Sequence, residues 1–133
     1  MESAAEITSG GAVQGLLALV GADDPVLDVT YGNGTFWRGT ERRVIGCDLE
    51  NQRAKDLVAD FCRLPFRDAA VPTVVYDPPF QPYVGSAEAA RFRGLGENDK
   101  ELRVLFVAGL RECWRVTYRH LLVKCQGFVH NHV

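Results

Sequence analysis

Four short apolar segments constrain the fold of this chain more than any other feature, because each of them carries an aspartate or runs into one. They cover residues 26–30, 44–47, 57–59 and 73–76. Their apolar residues are nearly continuous rather than alternating, which indicates strands that are buried on both faces. Buried strands of this kind form a parallel sheet that is covered by helices, so the sequence predicts an α/β fold.

Segments with helical spacing of apolar residues precede and follow the four predicted strands in the sequence. Val13, Leu16, Leu17 and Val20 fall on one face of a helix, and Gly21 stands where a C-terminal cap glycine is expected. A second helical pattern extends from about residue 98 to about residue 117, and residues 120–124 then predict a fifth strand. The recurring order of strand, turn and helix is typical of an α/β domain.

The length and composition favour one compact globular domain over residues 1–133. A chain of 133 residues with 47% hydrophobic and 24% charged residues is too short for two ordinary domains and too apolar for a disordered one. No apolar run approaches the ~20 residues that a membrane-spanning helix needs. The first residues are acidic and lack the basic-then-apolar pattern of a signal peptide, so we expect a cytoplasmic protein with no membrane partner.

The distribution of charged residues and of cysteines along the chain further limits the ligands that the protein is expected to bind. Residues 1–80 hold 7 basic against 12 acidic residues, whereas residues 81–133 hold 8 against 5. An acidic half suits a cationic small ligand, and a mildly basic half suits a ligand that bears phosphate. The four cysteines lie far apart with no Cys-x-x-Cys pair, so we predict buried thiols and no metal site.

The first predicted strand leads into a glycine turn, Tyr31-Gly32-Asn33-Gly34. A Gly-x-Gly turn lets the backbone approach a ligand where a Cβ atom would collide with it. Asp48 ends the next strand 20 residues after Asp28, and an acidic side chain at this point can accept both hydroxyls of a ribose. The pattern therefore indicates a nucleoside-bearing cofactor at the carboxyl ends of the strands.

The third and fourth strands also end in acidic residues. Asp60 is a candidate acceptor for the exocyclic amine of a purine. The fourth strand ends in the tetrapeptide Asp77-Pro78-Pro79-Phe80, in which two prolines fix the backbone and remove two N–H donors. The carboxylate and the carbonyls that remain can accept two hydrogen bonds from an NH₂ group, while the aromatic ring stacks on a planar base. The tetrapeptide predicts a site for an amine that attacks an electrophilic methyl carbon.

Together these motifs resemble the class I S-adenosylmethionine-dependent methyltransferases, and within them the amino-methyltransferases of nucleic acids. The resemblance covers about residues 10 to 126. It implies S-adenosyl-L-methionine (SAM) as the cofactor and assigns the catalytic role to Asp77, Pro78, Pro79 and Phe80. The cofactor-binding residues that it implies are Asp28, Thr30, Tyr31, Gly32, Asn33, Gly34, Asp48, Leu49, Asp60, Phe61 and Asp77.

The same resemblance implies a Rossmann-like three-layer sandwich with strand order 3-2-1-4-5. The family sheet has two further strands, which this sequence lacks, so the chain resembles a C-terminally truncated member. The implied reaction is methyl transfer to adenine N6 or cytosine N4, with DNA favoured over RNA as the partner and the base flipped out of the duplex.

Other functions remain open at this point. The tetrapeptide also suits ribosomal RNA guanine N2 methylation. A non-catalytic SAM-binding module is a further alternative, in which a second copy or a partner chain completes the sheet edge. A C5-cytosine enzyme is excluded because no cysteine follows a proline. A NAD-linked oxidoreductase is disfavoured because Trp37 occupies the place of the third glycine, and we interpret Trp37 and Trp114 as packing residues.

Overall fold

The predicted apolar strands form the centre of the molecule, a five-stranded parallel sheet with strand order β3-β2-β1-β4-β5. The computed structural model describes residues 9–78 and 99–124. Pro79 and Phe80 of the predicted catalytic tetrapeptide lie outside the described residues, as does Cys125. The elements in chain order are α1 (Ser9–Leu19), β1 (Val26–Asp28), a 3₁₀ turn (Thr35–Trp37), β2 (Val44–Asp48), β3 (Leu57–Val58), β4 (Val71–Tyr76), α2 (Asp99–Val116) and β5 (Thr117–Val123).

In the described part of the chain, α1 packs on one face of the sheet and α2 on the other, which confirms the predicted α/β fold with three layers. Alternate side chains of a strand point to opposite faces. Val26 and Val75 therefore pack under α1, while Leu27, Val74 and Tyr76 pack under α2. Gly21 has a φ of 62° directly after α1, as a C-terminal cap glycine requires.

Several element boundaries differ from the sequence prediction, among them the end of β1 and the start of β5. The ladder of β1 ends at Asp28 instead of Thr30, because the Asp28 carboxylate accepts the backbone N–H of Thr30 at 2.9 Å. The fifth strand begins at Thr117 rather than at His120, directly after the last residue of α2. The first shift moves the carboxyl end of β1 two residues back to Asp28, and the second lengthens β5 at its amino end.

No helix follows β2 or β3 in residues 49–56 and 59–70, in contrast to the predicted alternation of strands and helices. Arg115 of α2 instead holds the second of these segments. Its guanidinium donates two hydrogen bonds to Glu112 at 2.7 and 2.9 Å and others to the carbonyls of Phe66 and Leu64 at 2.7 and 3.1 Å. Glu112 in turn accepts the Leu64 N–H at 2.8 Å. A side-chain clamp thus replaces a crossover helix.

Gly109 of α2 makes room for the ring of Tyr76, which is fully buried. A Cβ atom on residue 109 would stand 2.6 Å from Cδ2 of Phe61 and would also meet the Tyr76 ring. We expect Gly109→Ala to lower the free energy of unfolding by about 1 to 2 kcal/mol, since overpacking outweighs the gain in helix propensity. Denaturant unfolding measures the change.

Gly15 of α1 provides the matched control for this substitution. A Cβ on Gly15 meets no atom within 4 Å, so Gly15→Ala is expected to raise stability by up to about 1 kcal/mol. A stabilising effect at both glycines would show that the Tyr76 ring does not need the space above Gly109.

Buried and exposed side chains confirm some predictions and correct one. Cys47 and Cys113 are buried free thiols, and Trp37 is buried, as predicted. Trp114 is 72% exposed, so its interpretation as a packing residue is wrong: it lies on the face of α2 turned away from the sheet. Among the residues that the structure describes, no helix has the length and apolar character that a membrane crossing requires.

Candidate functional site

The carboxyl ends of β1, β2 and β4 form one edge of the sheet because the three strands are parallel and adjacent. This edge brings together most of the residues that the sequence singled out. Hydrogen bonds connect Asp28 with Thr30, Thr30 with Asp77, and Gly32 with Asp48. In open parallel sheets, ligands bind at such an edge.

The glycine turn after β1 wraps around the ring of Tyr31. Gly32 and Gly34 have φ angles of 57° and 68°, which favour glycine. A Cβ on Gly34 would stand 2.6 Å from the Tyr31 hydroxyl oxygen, and a Cβ on Gly46 of β2 would stand 2.6 Å from Cδ2 of the same ring. The lack of a Cβ atom on Gly34 and Gly46 therefore makes room for the Tyr31 ring. The ring lies beside β2, and the connection from β1 to β2 contains only a 3₁₀ turn.

Asp48 at the end of β2 is buried and holds the glycine turn. Its Oδ2 accepts the N–H of Gly32 at 2.9 Å, and its Oδ1 accepts the N–H of Glu50 at 3.0 Å. Through these two bonds Asp48 holds the backbone of Gly32 after β1 and that of Glu50 after β2. Leu49 follows directly and is 36% exposed, which offers an apolar contact beside the carboxylate.

Asp28 at the end of β1 is fully buried on the α1 side of the sheet. Its Oδ2 accepts the indole N–H of Trp37 at 2.6 Å, and its Oδ1 accepts the N–H of Thr30 at 2.9 Å. Burial raises the pKa of Asp28 to about 6, although these two hydrogen bonds lower it, and the negative charge of Asp77 adds to the rise. Through these bonds Asp28 holds Thr30 before the glycine turn and Trp37 after it.

Asp77 and Pro78 follow β4 at the centre of the edge. The N–H of Asp77 donates to Thr30 Oγ1 at 2.9 Å, and the Thr30 hydroxyl donates to Asp28 Oδ1 at 3.4 Å. The Asp77 side chain is 26% exposed, while Pro78 is buried. Asp77 therefore reaches the surface of the edge beside the first residues of the glycine turn.

Lys124, the residue after β5, is a charged residue at this edge to which the sequence analysis gave no role. Its Nζ lies 3.5 Å from Asp77 Oδ2 and 5.4 Å from the centre of the Phe36 ring. Its backbone N–H donates to the carbonyl of Tyr76 at 3.0 Å. A lysine at the carboxyl end of the fifth predicted strand was the only signal of this contact in the sequence.

Asp60 and Phe61 lie toward the α2 side of the edge. The Asp60 carboxylate accepts the N–H of Cys62 at 2.8 Å, and the buried ring of Phe61 packs 5.3 Å from that of Tyr76. Burial, and secondarily the Asp60 charge, raise the pKa of the Cys62 thiol to about 11. Cys62 is consequently a neutral thiol at physiological pH. The Phe61 ring is part of the core.

An open cavity of about 360 Å³ adjoins the glycine turn. Tyr31, Gly32 and Asn33 line one side of it, and residues 52–55 line the other. Arg53 donates to Asn33 Oδ1 at 2.8 Å and so connects the two sides. Asp48 and Asp77 are not among the residues that line the cavity.

No protein-family model matches the chain, and no curated protein or solved structure matches it either. The chemistry of the edge therefore follows from its own geometry. The carboxylates of Asp48 and Asp77 lie at this edge beside the turn at Gly32.

Proposed function

We propose that this chain binds SAM at the carboxyl edge of the sheet and transfers its methyl group to an exocyclic amine of a nucleic-acid base. The target under this proposal is adenine N6 or cytosine N4, with DNA preferred. The single observation that supports it most is the bonded path from Asp28 through Thr30 to Asp77. This path keeps the amine acceptor beside the glycine turn.

The residues at the edge fit the proposed cofactor. The Asp48 carboxylate, which accepts the N–H of Gly32, is the proposed acceptor for the two ribose hydroxyls, and the turn at Gly32 is the proposed contact of the ligand with the backbone. The carboxylates of Asp48, Asp60 and Asp77 at this edge also favour a cationic sulfonium. Bound SAM supplies an electrophilic methyl carbon on a sulfonium that leaves as a neutral thioether.

Asp77 and the Pro78 carbonyl orient the target under this proposal. They accept hydrogen bonds from the NH₂ group, so the nitrogen lone pair localises and points along the line of attack. The N–C bond forms as the S–C bond breaks, and the surplus proton passes from nitrogen to water. Because positioning supplies most of the rate in such a displacement, no lysine or histidine base is required.

The test uses the purified chain, SAM with a labelled methyl group, and unmethylated DNA in single-stranded and duplex forms. Digestion to nucleosides then shows whether the label is on N6-methyladenine or N4-methylcytosine. Unmethylated ribosomal RNA tests the guanine N2 alternative in parallel. SAM binding, measured by calorimetry, with no methyl transfer to any nucleic acid would contradict the proposed enzyme.

A second candidate, a SAM-binding module completed by another chain, is favoured by the outward face of α2. Val104, Val107 and Trp114 are exposed along this face, and Tyr118 of β5 is exposed beside them. Exposed apolar patches of this kind mark interaction surfaces, and tryptophan and tyrosine are frequent at their centres. Among the described residues, β5 pairs only with β4, so its outer edge is open to a further strand.

Under this second candidate, with a second copy as the partner, we expect the chain to form a dimer that Trp114→Ser converts to a monomer. Loss of a central interface tryptophan costs more than about 2 kcal/mol of association free energy. Light scattering coupled to size-exclusion chromatography measures the mass. Leu19→Ser, at an exposed position at the end of α1, is the control and is expected to leave the dimer intact. A wild-type chain that is monomeric at all concentrations would exclude the completion of the sheet by a second copy.

A further inference from the structure

The outward face of α2 carries a row of exposed side chains that the carboxyl edge does not use. The members from the helix follow one another at intervals of three and four residues, which places them on one face: Val104, Val107, Arg111 and Trp114. Tyr118, the second residue of β5, is exposed just beyond the end of the helix. We call these five residues the α2 stripe. Two of them are large aromatic side chains that are open to solvent.

The charge on this face of α2 is positive. From residue 103 to residue 116, the exposed residues of the helix include two arginines, Arg103 and Arg111, and no carboxylate. Within the described part of the chain, the Arg111 guanidinium makes no hydrogen bond or ion pair, whereas Arg115 and Arg119 pair with carboxylates. The helix also belongs to the half of the chain that has an excess of basic residues. An anionic partner therefore complements this face.

Arg111 and Trp114 are neighbours on the helix surface because they are three positions apart. A guanidinium binds phosphate oxygens through several N–H donors, and an exposed indole stacks on the face of a nucleobase. In a single strand, a base and its adjacent phosphate are both accessible, whereas the bases of a duplex are stacked on one another. The pair therefore matches a nucleotide of an unpaired strand.

The α2 stripe starts close to the proposed amine site. Tyr76 at the carboxyl end of β4 donates to the carbonyl of Phe106, while Ala70 before β4 donates its N–H to the carbonyl of Val116. The helix thus runs in the opposite direction to the strands, and its first residues lie at the carboxyl edge. The part of the stripe on α2 is about 15 Å long. This length corresponds to four or five nucleotides at the ~3.4 Å spacing of stacked bases.

We propose that the α2 stripe binds a single-stranded segment of the nucleic-acid substrate, with Trp114 stacking on a base and Arg111 binding an adjacent phosphate. This inference rests on the proposed function, which supplies the class of partner. It narrows the substrate to DNA with an unpaired segment next to the target base. The second copy considered above would cover the same face of α2, so self-association and strand binding compete.

The experiment measures binding of the whole chain to a fluorescein-labelled oligothymidylate of about 15 nucleotides by fluorescence anisotropy at several salt concentrations. Thymine carries no exocyclic amine, so the probe reports on the surface and not on the amine site. For Trp114→Ala we expect about tenfold weaker binding with an unchanged salt dependence, because a stacking contact is lost. Trp114→Phe keeps a stacking ring and is expected to bind within about threefold of the wild-type chain.

Arg111→Met tests the phosphate contact separately. We expect the slope of log K against log salt concentration to fall by about 0.7 in magnitude, because one phosphate contact with a single strand is lost. Arg38→Met is the charge-matched control, since Arg38 is exposed beside α1, where its carbonyl accepts the Gln14 side chain. It is expected to leave the slope unchanged.

The results that would overturn the role of the α2 stripe can be distinguished from failure of the proposed function. Wild-type affinity and salt slope in Trp114→Ala and Arg111→Met would overturn it, and methyl transfer to DNA that bears amines would still stand. Loss of self-association in Trp114→Ala with unchanged strand binding would also overturn it and would assign the face to a second copy. Strand binding that depends on both residues, with no methyl transfer, would support the surface and reject the enzyme.

Discussion

Replacing Asp77 by alanine is expected to lower methyl transfer to DNA by about 10²- to 10³-fold while SAM affinity changes by no more than about threefold. The Asp77 carboxylate is the acceptor that orients the amine in the proposed mechanism. The N–H of Asp77 donates to Thr30 Oγ1, whereas Asp48 and Asp28 accept the N–H groups of Gly32 and Thr30 at the glycine turn. Activity and cofactor binding should therefore separate in this variant. Methyl transfer under single-turnover conditions and calorimetric titration with SAM measure the two effects.

Asp68→Ala is the matched control for that experiment. Asp68 precedes β4 at the opposite end of the strand from Asp77, and its carboxylate is exposed. The same loss of charge there is expected to leave methyl transfer within about twofold. If Asp77→Ala lost SAM binding in proportion to activity, the carboxylate would belong to the cofactor site and the amine assignment would fail.

Replacing Trp37 by phenylalanine is expected to lower the free energy of unfolding by about 2 to 3 kcal/mol at pH 8. Two causes contribute. The smaller ring leaves a gap next to α1, and the buried Asp28 carboxylate loses the indole N–H that it accepts at 2.6 Å. The first cause does not depend on pH, whereas the second grows as Asp28 ionises.

The sign of the pH dependence follows from the raised pKa of Asp28. Its value of about 6 in the folded chain exceeds the ordinary 3.8, so folding takes up a proton between these pH values and stability falls as pH rises through them. Without the Trp37 donor the folded-state pKa rises further. The deficit of Trp37→Phe should therefore be smaller at pH 5 than at pH 8, by about 1 kcal/mol.

Denaturant unfolding at the two pH values measures this deficit. In an Asp28→Asn background the effect of Trp37→Phe should be the same at both pH values, because the titrating group is gone. A deficit of Trp37→Phe in the wild-type background that does not change with pH would show that the indole contributes packing alone.

The architecture could be predicted from the sequence because it depends on strong local patterns. Continuous apolar residues indicated buried parallel strands, and an aspartate at or near the end of each placed the polar groups at one edge. The five parallel strands and their order confirm this part. Gly21 was predictable as a cap because a left-handed backbone conformation favours glycine.

The rest depended on contacts between residues far apart in the chain. No helix forms in residues 49–56 and 59–70, where the general order of strand, turn and helix would place one, since Arg115 satisfies the carbonyls of the second segment from α2. Trp37 was recognised as too large for a third glycine, but its bond to Asp28 has no local signal. Lys124 likewise contacts Asp77 only because β4 and β5 are neighbours.

The bond between Trp37 and Asp28 has a practical consequence. The chain has two tryptophans, and the second of them, Trp114, is largely exposed on α2. A Trp114→Phe chain would therefore emit from a single indole, whose N–H ends on the carboxylate beneath the glycine turn. A ligand that entered at that turn, as we propose for SAM, would then change the near-ultraviolet fluorescence of the unlabelled protein.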